Sequence, residues 1–131
     1  MTVTKTRIAK GRTAILPKYF GNQFIRFEMA INSLADQFIK EYRGGFWEFY
    51  SLSNGGFYMA FNSDKPVTFD NPDNYFCKEM DADTASIVVN LYVNSLLSFD
   101  YPDAPFGERY HQLRDYALEL PEAGVIALAI D

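Results

Sequence analysis

The stretch GGFWEFYSLSNGGFYMA, residues 44–60, constrains the fold more than any other part of the chain. It places Phe46, Trp47, Phe49, Tyr50, Phe57, Tyr58 and Met59 around a central Asn54-Gly55. Large side chains of this kind dominate cores and interfaces. Asn-Gly tolerates the positive φ that a type I′ turn needs at both central positions. The stretch therefore predicts a hairpin with one strand over 46–52, a two-residue turn, and a second strand over 57–62. In that register Leu52 faces Phe57, Tyr50 faces Met59 and Glu48 faces Phe61. Directly opposed residues share a face. One face then carries Phe46, Tyr50, Leu52, Phe57, Met59 and Phe61, and reads as core. The other carries Trp47, Phe49, Ser51, Tyr58 and Ala60, and is either covered by a second layer or left as an adhesive surface. A three-residue turn including Gly56 exchanges the faces of one strand.

The remaining elements follow from periodicity and turn chemistry. Residues 1–12 hold little apolar surface and are expected to form a flexible basic arm. Ile15, Leu16, Tyr19 and Phe20 make a short apolar segment, with Pro17 suited to a first helical turn and Gly21 ending it. From Asn22 to Tyr42, Phe24, Phe27, Ile31, Leu34, Phe38 and Tyr42 recur at helical spacing, and Gly44-Gly45 closes that helix. Asn62-Ser63-Asp64 and Asn71-Pro72-Asp73-Asn74 are turns flanking two short strands, the second over 75–80. Asp81 is placed as an N-cap, with Asp83 in the first turn, of a helix reaching Phe99 whose wide apolar arc predicts burial across the sheet. Phe106, Tyr110, Leu113, Ala117 and Leu120 mark a long helix that Pro121 breaks, and 122–130 is a last apolar helix. The fold class is α+β: an antiparallel four-stranded meander packed with N-terminal and C-terminal helices, in a single domain over 1–131.

Charge narrows the function classes. The chain carries −5 overall, yet residues 1–18 hold Lys5, Arg7, Lys10, Arg12 and Lys18 and no acid, which leaves −10 on the rest. Duplex binding is driven by Lys and Arg displacing counterions, so an acidic body argues against a phosphate-binding surface. Direct nucleic-acid binding would have to use the basic arm at 5–18. DNA mimicry needs a dense carboxylate array, whereas 17 acids stand against 12 bases in a chain that is 48% hydrophobic. A single cysteine, Cys77, cannot close an internal disulfide; no run is apolar and long enough to span a membrane, and no signal-peptide pattern opens the chain. The expected compartment is the cytoplasm, with no membrane partner.

Chemistry-bearing motifs are scarce. With one histidine, His111, and one cysteine, no spacing supports a zinc site, and Gly55-Gly56 is accounted for by the hairpin. Cys77 falls in a predicted strand, where a buried inert thiol is expected. His111 has Asp115 one helical turn away, which leaves open an enzyme-like role for His111 with Asp115 or Cys77. The pairs Asp81/Asp83 and Asp100/Asp103 read as helix capping and loop chemistry. Neither a catalytic residue, nor a metal, nor a cofactor is assigned.

The hairpin block resembles the signature of the ArdB/KlcA antirestriction family, which is carried on plasmids and mobile elements. LPKYFG at 16–21, DADTASIV at 81–88 and ERYHQLRDYALELPEAGVIALAID at 108–131 agree in kind and order. The segment 61–80 and the loop 100–107 match less clearly. The resemblance implies a protein that protects incoming DNA from type I restriction systems of the host. It draws attention to Arg109 and His111. With neither catalytic equipment nor a DNA-like surface, the expected mode is protein–protein interference with the restriction complex or a host factor it depends on. Partner-binding candidates are Trp47, Phe49 and Tyr58 on the second hairpin face, Asn54 and Gly55 at its tip, and Arg109 and His111. The competing readings are a hairpin whose aromatics are covered by helices and only hold the fold, and an accessory factor using His111 or the basic arm.

Overall fold

A computed structural model describes residues 2–130; Met1 and Asp131, the outer ends of the predicted arm and domain, lie outside the described residues. The chain runs β1 (Lys5–Arg7), α1 (Arg12–Phe20), α2 (Phe24–Phe38), β2 (Trp47–Leu52), β3 (Phe57–Phe61), β4 (Val67–Asn71), β5 (Phe76–Met80), α3 (Ala82–Asp100), α4 (Phe106–Ala117) and α5 (Ala123–Ile130). The α+β class holds, while the strands arrange themselves differently from a single meander. They form a three-stranded antiparallel sheet β1-β2-β3 and a separate hairpin β4-β5.

The cause lies at two strand edges. The outer edge of β3 is taken by α3, and among the described residues no strand pairs there. Asn90 of α3 accepts from Met59 N–H at 3.2 Å and donates to Met59 C=O at 2.8 Å, and Ser86 Oγ accepts from Phe61 N–H at 3.2 Å. Both polar side chains are fully buried. They close an edge that would otherwise carry unpaired backbone groups inside the protein. The outer edge of β4 is likewise occupied. The chain leaving α2 turns extended at Ile39, which bridges Phe69, and Lys40 N–H donates to Thr68 C=O at 3.1 Å. That turn ends α2 at Phe38, short of the expected Tyr42.

The β2-β3 hairpin exists with a slip of one residue. Ser51 pairs with Phe57, Phe49 with Met59 and Trp47 with Phe61. Leu52 N–H donates to Gly56 C=O at 2.9 Å, so the connection is the three residues Ser53, Asn54 and Gly55, of which Gly55 has φ 93°. A tight turn followed by a left-handed glycine is the usual three-residue solution. As a result Trp47 and Phe49 join Phe57, Met59 and Phe61 on one face, while Tyr50 moves to the face of Tyr58. Helices α1 and α2 cover the first face: Phe57 lies 4.9 Å from Tyr19 and 5.8 Å from Phe20, ring centre to ring centre, and Phe20 stacks on Phe27 at 3.9 Å. The expected core residue Phe46 is exposed, with the Arg12 guanidinium 4.4 Å over its ring.

Capping places α3 as expected. Asp81 is its N-cap and accepts from Thr84 N–H at 2.7 Å. The N-terminal arm is a correction. Residues 5–7 form β1 on the outer edge of β2, fixed by Ile8 N–H to Phe49 C=O at 2.8 Å and Ser53 N–H to Thr4 C=O at 2.9 Å. Pro17 sits inside α1, beyond its first turn. Cys77 is also corrected: it is exposed on β5, because only one face of that two-stranded hairpin is packed. Among the described residues no helix is long and apolar enough to cross a membrane.

Candidate functional site

Three of the sequence candidates meet at one place. The hairpin tip is bolted onto α4 through Asn54, Gly55 and Arg109, with Gln112 as the residue between them. Asn54 Nδ2 donates to Gln112 C=O at 2.9 Å, and Gln112 Nε2 returns a bond to Asn54 C=O at 3.2 Å. Asn54 Oδ1 accepts from Gly56 N–H at 3.0 Å, which shapes the turn itself. Arg109 Nη1 donates to Gly55 C=O at 3.3 Å and to Gln112 Oε1 at 3.0 Å, while its Nε donates to Tyr19 C=O at 2.9 Å. Its guanidinium lies 5.1 Å over the Tyr19 ring. One arginine thus ties the end of α1, the hairpin tip and α4 together. The fixed fork of five donors suits guanidinium to that task better than an ammonium.

Outward from this junction α4 presents an exposed stripe. Glu108, His111, Asp115 and Leu118 follow one another at spacings that share a helix face, and all four are exposed. Ser53 and Gly55 of the tip are exposed beside it. Among the described residues, no hydrogen bond or ion pair joins His111 to Asp115; the ring of His111 makes an edge contact with Tyr110 at 5.4 Å. No group of three or more His, Cys, Asp or Glu is placed to hold a metal ion among the described residues.

The three aromatic candidates lie elsewhere. Trp47 and Phe49 are 6% exposed and Tyr58 is fully buried. Trp47 Nε1 donates to Tyr42 Oη at 3.1 Å, within a ring cluster with Phe61. These side chains are core in the folded protein, Tyr58 beneath the Lys5 side chain. The one-residue turn insertion brings Trp47 and Phe49 onto the helix-covered face, and Gln112, far away in sequence, bonds that turn.

A second polar cluster escaped sequence reasoning. Lys5 of β1 donates to Tyr58 Oη at 3.1 Å and lies 3.6 Å from Asp83 Oδ1, and Tyr58 Oη donates to that same carboxylate at 2.8 Å. The Tyr50 and Tyr58 rings stack at 5.1 Å, and Tyr116 of α4 stacks on Tyr58 at 5.9 Å. Burial, then the charge of Asp83, holds the Tyr58 and Tyr50 phenols above their ordinary value of 10.0. Burial likewise raises Tyr116, with Asp83 and Glu122 adding to it. No spacing rule connects Lys5, Tyr58, Asp83 and Tyr116.

Three cations of the arm engage the body. Lys5 pairs with Asp83, and Arg7 lies 3.4 Å from Glu48. Arg12 donates to Trp47 C=O at 2.6 Å and stacks 4.0 Å over Phe49. On the acidic side Asp70 pairs with Lys40 at 3.7 Å, and Glu41 accepts from Thr68 N–H at 2.7 Å and Thr68 Oγ1–H at 2.9 Å.

An α+β fold of this topology, with the hairpin tip locked to α4, places the chain in a defined class. Residues 40–131 match the family model described as antirestriction protein. The chain is 36% identical to the antirestriction protein KlcA of Escherichia coli, over 98% of its own length and 94% of that protein's. It is 40% identical to the uncharacterized protein YfjX of Escherichia coli K12, over 88% of this chain and 78% of that one. A solved structure superimposes with a TM-score of 0.90 at 34% identity, covering 100% of this chain and 96% of the other. That structure belongs to work on the KlcA and ArdB proteins, described as having a novel fold and antirestriction activity against type I DNA restriction systems in vivo but not in vitro. The chain belongs to the antirestriction protein family.

Proposed function

We propose that this protein shields incoming plasmid or phage DNA from a host type I restriction system by protein–protein interference, with no chemical step of its own and in the cytoplasm, where such DNA is cut. The observation that carries this reading is the exposed stripe on α4, beside a basic arm that is drawn onto the protein's own surface. A DNA binder needs Lys and Arg side chains free to meet phosphates. Here Asp83, Glu48 and Asp70 face Lys5, Arg7 and Lys40, and Arg12 is stacked on aromatics. Outward on α4 and at its C-terminal end lies a mixed stripe that includes Glu108, His111, Asp115 and Leu118, on a helix anchored by Arg109 and Gln112. Mixed polar and apolar surface on a rigid helix is suited to a protein partner. Activity of the KlcA and ArdB proteins in vivo but not in vitro supports a target that includes a host factor on which the restriction complex depends.

The test is plating of unmodified phage on cells carrying a type I system, with the protein or a Glu108→Lys/His111→Ala/Asp115→Lys variant expressed. The protein is expected to raise plating on type I cells and leave a type II system untouched. The variant is expected to lose that protection at an unchanged melting temperature. Full protection by a folded variant overturns the α4 assignment, and equal plating with and without the soluble protein overturns the function.

A further inference from the structure

The cluster around Lys5 lies apart from the α4 stripe and has the makings of a ligand site. The Lys5 ammonium is held over the Tyr50 ring at 4.6 Å and the Tyr58 ring at 5.8 Å, with one Asp83 oxygen at 3.6 Å. Aromatic faces with a carboxylate behind them make an alkylammonium cage, since the ring quadrupole and the acid both attract a compact cation. Next to Lys5 the surface opens into a cavity of about 420 Å³, which Asp81, Asp83, Tyr116 and Glu122 help to line. The charged groups facing it are thus three carboxylates and Lys5 itself, while Glu48, whose charge also reaches Tyr50, is paired with Arg7.

We propose that this cage and its acidic mouth form a binding site for a lysine side chain of a protein partner, and that Lys5 occupies it in cis. The occupant's chemistry is read from Lys5, an ammonium already seated there. Its hold is light. The Lys5 and Asp83 side chains are 36% and 39% exposed, and an ion pair that exposed contributes little. The Lys5 side chain can swing into solvent while β1 keeps its backbone pairing with β2, because that pairing uses Thr4, Thr6 and Ile8 as well. A partner lysine entering through the cavity then meets the same two rings and the same carboxylate. Tyr58 Oη donates to Asp83 at 2.8 Å and so fixes the carboxylate oxygen that the incoming cation meets. This site is independent of the α4 stripe, so either can fail without the other.

The experiment uses the full chain with Lys5→Ala, isotope-labelled for NMR, titrated with Nα-acetyl-lysine methylamide. The control ligand is Nα-acetyl-norleucine methylamide, which keeps the stem and lacks the charge. Saturable shifts confined to Tyr50, Tyr58 and Asp83 are expected with the lysine ligand alone. Binding is expected to be about tenfold weaker in the unsubstituted protein, where Lys5 competes at high effective concentration. It is expected to disappear in the Lys5→Ala/Asp83→Asn variant. Lys5→Ser serves in place of Lys5→Ala if the latter does not give a folded spectrum. Absence of saturable shifts in a folded variant, or equal shifts with norleucine, overturns the site.

Discussion

The polar closure of β3 by α3 yields a quantitative prediction. Asn90 is fully buried and makes the only described bonds to the Met59 N–H and C=O on that edge. Asn90→Ala strands both groups without water. An unsatisfied buried backbone group costs about 1–3 kcal/mol, so the pair, with the lost packing, should cost about 3–5 kcal/mol. That is a large share of the roughly 5–15 kcal/mol that holds a domain of this size folded. Asn90→Leu separates the two contributions, because it refills the volume and restores no bond. Urea unfolding should show both variants strongly destabilised at an unchanged m-value, with the leucine variant recovering only a minor part. Native-state hydrogen exchange should show the Met59 amide, protected in the parent, exchanging by local opening in both variants. A leucine variant as stable as the parent refutes the reasoning: the edge would then be held by packing, and the hydrogen bonds would be incidental.

Trp47→Ala should cost about 3–5 kcal/mol in urea unfolding, because the indole is core and its N–H bonds Tyr42; lost protection with unchanged stability would instead restore Trp47 as a contact residue. Gly56→Ala should destabilise by about 1–3 kcal/mol, since its Cβ would stand 2.8 Å from Gln112 Cβ and 3.0 Å from Leu52 Cδ1. Thermal melting that matches the parent would show that the tip relaxes away from α4. The phenols of Tyr50, Tyr58 and Tyr116 are raised, so the folded state resists their ionisation. The stability this provides is fully present below pH 10, where unfolded tyrosine is neutral, and is lost as pH rises through the folded values. Absorbance titration should show these tyrosines ionising only with alkaline unfolding, and Tyr58→Phe should flatten that limb of the stability profile.

Much of the fold is legible because capping and periodicity are local. Asp81 announces α3, and Phe27, Ile31 and Phe38 mark the buried face of α2, while Pro121 falls in the link to α5 and α4 already ends at Ala117, short of the expected Leu120. The misreadings share one cause, competition from a partner distant in sequence. Asn-Gly fits a two-residue turn, but Asn54 places its side chain on Gln112 C=O and on Gly56 N–H, and only Gly55 takes positive φ. One residue more in the turn reverses Trp47 and Phe49. The meander failed for the same kind of reason. Strand propensity over 67–71 is real, yet β3 offers no free edge once Asn90 and Ser86 lie on it. Lys5, Arg7 and Arg12 read as solvated because nothing in their own neighbourhood shows that Asp83, Glu48 and Trp47 C=O await them.

That pattern bears on where function can lie. The segments carrying the family resemblance include Tyr19, the hairpin tip and the start of α4, and Arg109 joins all three. Residues that make the chain recognisable are therefore largely residues that hold it together, and their substitution would remove activity by unfolding as readily as by lost contact. Discriminating positions have to be exposed and free of such duties. His111, Asp115 and Leu118 meet that condition, whereas Arg109, Asn54 and Trp47 do not. An alanine at Arg109 would release the Gly55 and Tyr19 carbonyls together, so lost protection there would say little about the target. The same loss at His111, with melting unchanged, would locate a contact.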